Sequence, residues 1–307
     1  MKIGFIVNSL DHMESINTLL KVALTATKRG HKVWFIGVED LTYEIDGKIT
    51  AEGCCVQKDG HKNINEYLED LQEIISQGRS KVTFEDLDIV MLRNDPSIES
   101  QERSWARSIA FDFGRLAIKQ GVVVLNSPEG LSNASNKMYF QHFPEEVRPK
   151  TIITRNRDKL KKFVSESKKI VMKPLSGSGG KNVFLASSKD IPNINQIIDA
   201  ISRDGYVMAQ EYLPEAERGD IRLFLMDGEP LQKDGKYCAF KRIKVKGDLR
   251  NNVSAGGKTK KAKIDEKILK MCKIIKPKLV RDGMFLVGLD IVGDRLLEVN
   301  VFCPGGI

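Results

Sequence analysis

The alternation of apolar strand patterns with amphipathic helix patterns is the feature that most limits how the first 130 residues can fold. Lys2–Val7 is a short apolar run typical of a buried strand. A helical pattern then begins near Ser15 and ends at Arg29-Gly30, where glycine suits a left-handed cap. Strand patterns recur at His31–Ile36, Leu87–Leu92 and Val122–Leu125, with a helix pattern at Glu99–Lys119. This order predicts a doubly wound α/β domain.

The predicted elements become shorter after about residue 131. Strand patterns at Lys150–Ile153, Ile170–Lys173 and Asn182–Leu185 alternate with helix patterns at Asp158–Ser165 and Asn193–Arg203, which predicts a small α+β lobe. Beyond it the chain shows two strands, a polar stretch from Lys244 to Lys263, a helix and a hairpin. The two strands are Val207–Tyr212 and Arg222–Met226, and the helix is Ile264–Arg281. The hairpin consists of Leu286–Ile291 and Leu296–Asn300, and it turns on Gly293-Asp294.

Composition excludes several classes of protein. The 41% apolar and 29% charged content is that of a globular protein, and no segment approaches the ~20 apolar residues of a membrane span. The net charge of +8 includes a basic run over residues 258–263, but the 41 acidic residues are spread along the chain and no nucleic-acid motif appears, so we expect no nucleic-acid partner. Five cysteines without Cys-x-x-Cys spacing predict a cytoplasmic protein without structural zinc.

A glycine-rich segment follows the predicted strand that ends at Lys173. The run Lys173–Gly180 includes Gly177, Ser178, Gly179 and Gly180, whose backbone amides could surround phosphate oxygens while Lys173 supplies positive charge. It matches neither the P-loop nor the dinucleotide-binding pattern, because a second strand rather than a helix comes next. Taken alone, the segment is a weak signal, because glycines between two strands more often form an ordinary turn.

Oxygen-bearing side chains lie on both arms of the final hairpin. Glu298 and Asn300 are two residues apart and therefore share one strand face, and the short turn can bring Asp290 beside them. Such ligands suit Mg²⁺. The alternative is that all three face solvent. We favour the metal because apolar residues alternate with them on the opposite face.

Three arginines, Arg222, Arg242 and Arg250, fall between the glycine-rich segment and the acidic hairpin. Arginine forks bind carboxylates and acyl phosphates in two-point contact. Any one of these arginines could be a surface charge, and it is their grouping that indicates a substrate site. The four histidines share no motif and receive no role.

Taken in order, these segments resemble bacterial glutathione synthetase, an ATP-grasp enzyme, over nearly the whole chain. The motifs that carry the resemblance are Met91–Pro96, Asn126-Ser127-Pro128, Asn136-Lys137, Thr154-Arg155-Asn156, Met172–Gly180, Met208–Pro214, Gly219–Pro230, Arg250–Gly257 and Val287–Val301. The resemblance implies an ATP-grasp fold, in which an N-terminal doubly wound α/β domain precedes two α+β lobes that enclose ATP. The expected domains are 1–130, a small lid lobe at 131–206, and a C-terminal lobe with the metal site at 207–307.

The resemblance also implies a role for each matching residue. Lys137 and Lys173 would contact nucleotide phosphates, and the adenine-binding segment would be Gln210, Glu211, Tyr212 and Leu213. Asp220 and Arg222 would border the nucleotide and substrate, whereas Arg242, Arg250 and Asn252 would steady an acyl phosphate and the peptide substrate. Mg²⁺, with Mn²⁺ as an alternative, would bind Asp290, Glu298 and Asn300.

The implied reaction is the ATP-dependent joining of a γ-glutamyl peptide acid, γ-glutamylcysteine, to an amino acid, glycine, by a cytoplasmic homo-oligomer. The chain departs from the family pattern at the short segment Asn8–Asn17, at an apparent hairpin insertion over Lys233–Phe240, and at Phe302–Ile307, where the family continues with a different loop and a terminal helix. A ligase for another acid or amine, and a nucleotide-binding scaffold without turnover, are the alternatives. We expect Lys244–Lys260 to be a mobile lid.

Overall fold

A six-stranded sheet forms the centre of the first of two units in the computed structural model. This unit comprises residues 1–133, 279–287 and 301–307. The structure describes residues 1–15, 17–57, 60–177, 182–188, 193–203, 205–243 and 258–306. The strands are β1 (Lys2–Val7), β2 (Lys32–Tyr43), β3 (Ile49–Val56), β4 (Ser80–Thr83), β5 (Ile89–Leu92) and β6 (Val123–Leu125), in the order β4-β3-β2-β1-β5-β6.

The central strands of this sheet are parallel, as predicted for a doubly wound domain. β1 pairs in parallel with both β2 and β5, and β5 pairs in parallel with β6, whereas β3 and β4 extend the sheet with antiparallel pairs. The helices are α1 (Asn17–Lys28), α2 (Ile64–Gln77), α3 (Ala106–Lys119) and α4 (Pro128–Asn133). The buried core on one face includes Phe5, Phe35 and Tyr67, which joins α2 to the sheet.

The prediction that the third helix begins at Glu99 is wrong. α3 begins at Ala106, because the preceding residues are engaged in other contacts. Asp95 caps a short 3-10 turn by accepting from the backbone N–H of Ser97, and the Glu99 carboxylate accepts from Asn8 Nδ2 at 2.6 Å and from Arg103 Nε at 2.9 Å. These local hydrogen bonds compete with helical ones.

The second unit, residues 134–278 and 288–300, contains a four-stranded antiparallel sheet. Its strands are β7 (Thr151–Thr154), β8 (Lys169–Pro174), β9 (Phe184–Ser187) and β10 (Val207–Glu211), in the order β7-β10-β8-β9. Helices α5 (Arg157–Glu166) and α6 (Ile194–Ser202) pack on it through a core that includes Leu160, Ile198 and Met172. The strands and helices predicted for the small α+β lobe are therefore confirmed, with shifts of one or two residues at their ends.

A second sheet in the same unit carries the strands that hold the acidic hairpin. Its strands are β11 (Asp220–Met226), β12 (Glu229–Pro230), β15 (Ala239–Ile243), β16 (Lys258–Lys261), β17 (Leu286–Val292) and β18 (Arg295–Asn300). A separate hairpin consists of β13 (Gln232–Lys233) and β14 (Lys236–Tyr237). Helix α7 spans Glu266–Arg281. The main order is β16-β15-β11-β17-β18, with β12 paired to β11. The two tight turns at Asp227-Gly228 and Asp234-Gly235 have positive φ at both central residues, as two-residue hairpin turns require.

The inserted hairpin predicted over Lys233–Phe240 is present as β13 and β14. The polar stretch predicted over Lys244–Lys263 is not all loop, since Lys258–Lys261 forms the edge strand β16 against β15. Residues 244–257, on which most of the predicted lid falls, lie outside the described residues. The division into three domains remains a prediction. No helix in the described part of the chain is long and apolar enough to cross a membrane.

Asn126 offers a test of side-chain hydrogen bonding in the first unit. Its buried amide donates to Leu286 O at 3.1 Å and Val301 O at 2.7 Å, and accepts from Leu286 N at 2.8 Å. Asn126→Ala should lower the free energy of unfolding by about 3 kcal/mol, at about 1 kcal/mol for each lost hydrogen bond. Urea unfolding followed by circular dichroism measures this loss.

Asn94 supplies the matched control. It is as buried as Asn126, but both polar atoms of its amide lack a hydrogen-bond partner among the residues that the structure describes. Asn94→Ala should therefore cost less than about 1 kcal/mol, because no hydrogen bond is lost. Equal losses for the two variants would contradict the assignment of stability to the Asn126 bonds.

Candidate active site

Asp220 and Arg242 form a buried pair at the start of β11. The antiparallel register of β11 and β15 places them directly opposite one another. Arg242 Nε lies 3.1 Å from both Asp220 oxygens, and Arg242 Nη2 donates to Asp220 Oδ2 as well. Both side chains are buried. Because an unpaired charge is costly to bury, each residue requires the other.

Asp290, on the adjacent strand β17, is shared by two arginines. Arg222 Nε donates to Asp290 Oδ1 at 2.5 Å and Arg222 Nη2 to Oδ2 at 3.0 Å. Arg242 Nη2 lies 2.9 Å from Asp290 Oδ2, and Asn300 Nδ2 donates to the same oxygen at 3.3 Å. The hairpin brings Asp290 beside Glu298, and a register shift between Asp290 and Ile291 makes these two residues direct cross-strand partners.

The pKa shifts in this cluster follow from burial and from the arginines. Burial opposes ionisation of Asp290, but the charges of Arg222 and Arg242 outweigh it, so the pKa of Asp290 is lowered. Burial raises the pKa of Asp220 even though Arg242 lies beside it. Burial acts to lower the pKa of Arg242, but the charges and hydrogen bonds of Asp290 and Asp220 outweigh burial, so the pKa of Arg242 is raised. Asp290 is therefore an anion at neutral pH and Arg242 a cation.

Lys173 and Gln210 come from the four-stranded sheet. They lie on the paired strands β8 and β10, and Lys173 Nζ donates to Gln210 Oε1 at 3.3 Å. Gln210 Nε2 in turn donates to Thr151 Oγ1 at 3.2 Å, which fixes the amide orientation. Burial lowers the pKa of Lys173, and the charges of Glu298 and Asp290 offset this only in part. Lys173 lines the same cavity as these two acidic residues.

A cavity of about 180 Å³ lies between these two sheets of the second unit. Its charged and polar lining residues are Lys173, Gln210, Glu211, Tyr212, Asp220, Arg242, Asp290 and Glu298, and its apolar ones are Val171, Val183, Leu213, Ala216 and Leu297. Nine of the predicted site residues therefore share one cavity, and Arg222 and Asn300 adjoin it through Asp290. Apolar walls with a few convergent polar groups are typical of ligand sites.

Tyr212, at the edge of the cavity, belongs to a cluster that sequence reasoning missed. Its hydroxyl donates to Glu217, and Lys169 Nζ lies 4.2 Å from the centre of its ring. The backbone N–H groups of Glu211 and Tyr212 donate to Lys150 O and Lys169 O, so neither is available to a ligand. No sequence signal marks Lys169 or Glu217, because a turn and a strand pairing bring them together.

Lys137 and Gly177 contact one another. Lys137 Nζ donates to Gly177 O at 2.6 Å, and Lys137 N donates to Leu175 O at 3.1 Å. The Lys137 side chain is thereby held at the start of the glycine-rich segment. The remaining predicted site residues, Ser178, Gly179, Gly180, Arg250 and Asn252, lie outside the described residues.

The residues predicted to bind a metal have suitable chemistry. Asp290 and Glu298 supply carboxylates and Asn300 an amide oxygen, all hard ligands of the kind that Mg²⁺ prefers. Within the described ranges no three histidine, cysteine or carboxylate side chains form a metal-binding group, and this trio has only two such side chains. The donor set fits a divalent cation, although the oxygens of Asp290 also accept from arginines.

Gly219 is a second position that sequence reasoning did not assign to the site. It has φ of +89°, and a Cβ atom there would lie 1.9 Å from Arg242 O. Only glycine allows the chain to pass this close to the backbone of Arg242. The residue therefore sets the spacing of the Asp220–Arg242 pair.

Gly219→Ala should disturb this spacing, whereas Gly235→Ala is a matched control. Gly235 also has positive φ, +71°, but a Cβ atom there would meet no atom of the described residues within 4 Å. Gly235→Ala incurs a backbone penalty of roughly 1 kcal/mol for its positive φ, whereas Gly219, at φ +89° and ψ −175°, has a backbone conformation that is essentially restricted to glycine. Gly219→Ala should cost about 1–3 kcal/mol more, because its backbone must change and the strands must separate. Thermal unfolding of both variants tests this, and equal shifts in Tm would contradict it.

Comparisons with known proteins bear on both units. Residues 1–132 match the family described as prokaryotic glutathione synthetase, N-terminal domain, and residues 136–307 match prokaryotic glutathione synthetase, ATP-grasp domain. The chain is 32% identical over 310 residues to a glutathione synthetase of Vibrio parahaemolyticus, covering 99% of this chain and 90% of that one. It is 31% identical over 307 residues to one of Escherichia coli K12, with the same coverage.

Solved structures share the fold. D-cycloserine synthetase DcsG matches with a TM-score of 0.64 at 14% identity, covering 98% of this chain and 92% of that one. D-alanyl-alanine synthetase A from Vibrio cholerae matches with a TM-score of 0.60 at 11% identity, covering 98% and 89%. The predicted ATP-grasp fold is confirmed. The chain belongs to the prokaryotic glutathione synthetase family and is an ATP-dependent carboxylate–amine ligase that works with a divalent cation.

Proposed function

We propose that this protein is a glutathione synthase that joins γ-glutamylcysteine to glycine, with Mg²⁺ as its cation. The chain belongs to the prokaryotic glutathione synthetase family, and these substrates are the ones that the sequence resemblance implies. The observation that carries the proposal is the buried cluster of Arg222, Arg242, Asp220 and Asp290 beside Lys173. Burying several charged groups together destabilises a fold, and clusters of this kind are typical of active sites.

The reaction consists of two displacements. A carboxylate oxygen of the acid attacks the γ-phosphorus of ATP, and the bond from that phosphorus to the β-phosphate oxygen breaks, which releases ADP. The amine nitrogen then attacks the carbonyl carbon of the acyl phosphate, a C–N bond forms, and phosphate leaves as the amine loses its proton. Phosphoryl transfer of this kind depends mainly on positioning and charge neutralisation.

The cationic side chains have the chemistry for both displacements. Lys173, enclosed and facing acidic groups, and Lys137, beside the glycine-rich segment, are suited to nucleotide phosphates. Arg222 and Arg242 are held near the cavity by buried carboxylates, so their guanidinium groups bring positive charge to the site that can stabilise an acyl phosphate. We therefore assign the lysines to the nucleotide and the arginines to the acyl phosphate.

Mg²⁺ would be held by Asp290, Glu298 and Asn300, and when bound it would neutralise phosphate charge. The adenine ring would lie against Gln210–Leu213 in the cavity. Because the N–H groups of Glu211 and Tyr212 are already used, recognition of the base would fall to carbonyl groups and to Leu213 N. The cytoplasmic location and the homo-oligomer remain predictions from the sequence.

The purified protein should release ADP only when ATP, Mg²⁺, γ-glutamylcysteine and glycine are all present. Each displacement needs its own nucleophile, so omission of either co-substrate should stop net turnover. A coupled assay for ADP, with chromatography of the peptide product, measures this. The controls replace the acid with other γ-glutamyl peptides and glycine with other amino acids. Faster turnover with another pair would overturn the substrate assignment and leave the ligase chemistry intact.

Glu298→Gln should raise the Mg²⁺ concentration needed for half-maximal activity by at least about tenfold, because a neutral amide binds a hard cation more weakly than a carboxylate. The substitution keeps the shape of a half-buried side chain, so Tm should change little. Glu229→Gln, at an exposed residue paired with Lys276, is the control and should leave the Mg²⁺ dependence unchanged. An unaltered Mg²⁺ requirement in Glu298→Gln would show that Glu298 is not a ligand.

A further inference from the structure

One oxygen of the Asp290 carboxylate, Oδ2, is crowded by side-chain donors. A carboxylate oxygen offers about two lone-pair positions. Three N–H groups approach Oδ2, those of Arg222 Nη2, Arg242 Nη2 and Asn300 Nδ2 at 3.0, 2.9 and 3.3 Å, whereas Arg222 Nε lies 2.5 Å from Oδ1. Oδ2 is the oxygen beside Asn300, and a divalent cation that is shared with Asn300 can reach it only where one of these donors withdraws.

Arg242 is the donor best placed to withdraw. It already contacts a second carboxylate, that of Asp220, through both Nε and Nη2. Asp220 lies directly opposite it on the neighbouring strand, and its side chain is only 2% exposed. Rotation of the guanidinium toward Asp220 would keep its charge paired, so withdrawal would not leave a buried cation alone.

We propose that Asp220 is a positioning residue that draws Arg242 away from Asp290 and so opens an oxygen of Asp290 to the divalent cation. This inference rests on the proposed function, because it takes Asp290 as a metal ligand. Asp220 then acts through Arg242 and needs no contact with nucleotide, in contrast to the role that the family resemblance implies for it.

The inference predicts opposite effects for the two partners. In Asp220→Asn the neutral amide holds Arg242 less well, so Arg242 remains on Asp290 and cation affinity falls. In Arg242→Gln the competitor is gone, so cation affinity rises. Simple addition or removal of nearby charge would produce the same two signs, but charge effects of that kind are additive. Positioning is not additive, because Asp220 has nothing to position once Arg242 is absent.

A double-mutant cycle on the full chain separates these explanations. Mn²⁺ alone is titrated into protein free of nucleotide and substrates, and free Mn²⁺ is followed by electron paramagnetic resonance. Relative to the unmodified protein, Asp220→Asn should weaken binding, and Arg242→Gln should strengthen it, each by about fivefold. The double variant should bind Mn²⁺ as Arg242→Gln does. Arg157→Gln and Asp199→Asn, which break an exposed ion pair in the same unit, should change nothing.

Three outcomes would overturn the inference. They are additive effects in the double variant, weaker Mn²⁺ binding in Arg242→Gln, and Mn²⁺ binding that is either undetectable or unchanged by Asp290→Asn. Arg242→Lys keeps the buried positive charge but loses the guanidinium group that contacts both carboxylates. It is the alternative variant if Arg242→Gln does not fold, and it should also strengthen Mn²⁺ binding. Circular dichroism verifies each fold. Because the titration contains no substrate, failure of the glutathione synthase assignment in the ADP assay would be distinguishable from failure here.

Discussion

Much of the candidate site depends on the sharing of one buried carboxylate, Asp290, between two arginines. Burying an ion is costly, and the cost is offset only where its partners satisfy its oxygens in good geometry. Three adjacent strands, β15, β11 and β17, supply Arg242, Arg222 and Asp290 in that order. The ladder hydrogen bonds fix the spacing of those strands, so the positions of the charged groups are set by backbone structure rather than by side-chain preference. This is the preorganisation that electrostatic catalysis requires.

Local sequence patterns predicted both arms of the acidic hairpin and its two-residue turn. That turn alone would place Asp290 opposite Leu297, but a register shift between Asp290 and Ile291 pairs Asp290 with Glu298 instead. The pairing of Asp220 with Arg242 was not predicted either, since an extra hairpin, β13 and β14, lies between them and the register across it depends on tertiary contacts. The contact of Tyr212 with Glu217 and Lys169 was missed for a similar reason. The sequence identified nine residues that line the cavity, but it did not show which of their side chains pair with one another.

The fold shows the same limit. Apolar runs such as Lys2–Val7 predicted buried strands correctly, because burial on both faces leaves few alternatives. The start of α3 was wrong because Glu99 fits a helix pattern while its carboxylate is taken by Asn8 and Arg103. β16, with the sequence Lys-Thr-Lys-Lys, has no apolar face at all. Only its hydrogen bonds to β15 make it a strand, and these are invisible to a pattern based on burial.

The charges around the cavity also explain how such a site can exist before any ligand binds. Apart from Glu211, which is exposed to solvent, the charged groups in and beside the cavity are balanced: Lys173, Arg222 and Arg242 supply three cationic groups, and Asp220, Asp290 and Glu298 supply three carboxylates. A cluster with excess positive charge would depend on nucleotide phosphates for its stability, whereas a balanced cluster can be buried by itself. A nucleotide that arrives with its cation brings a partly compensated charge into this balanced environment. Binding then requires exchange of partners among groups already in place, rather than the burial of new unpaired charge.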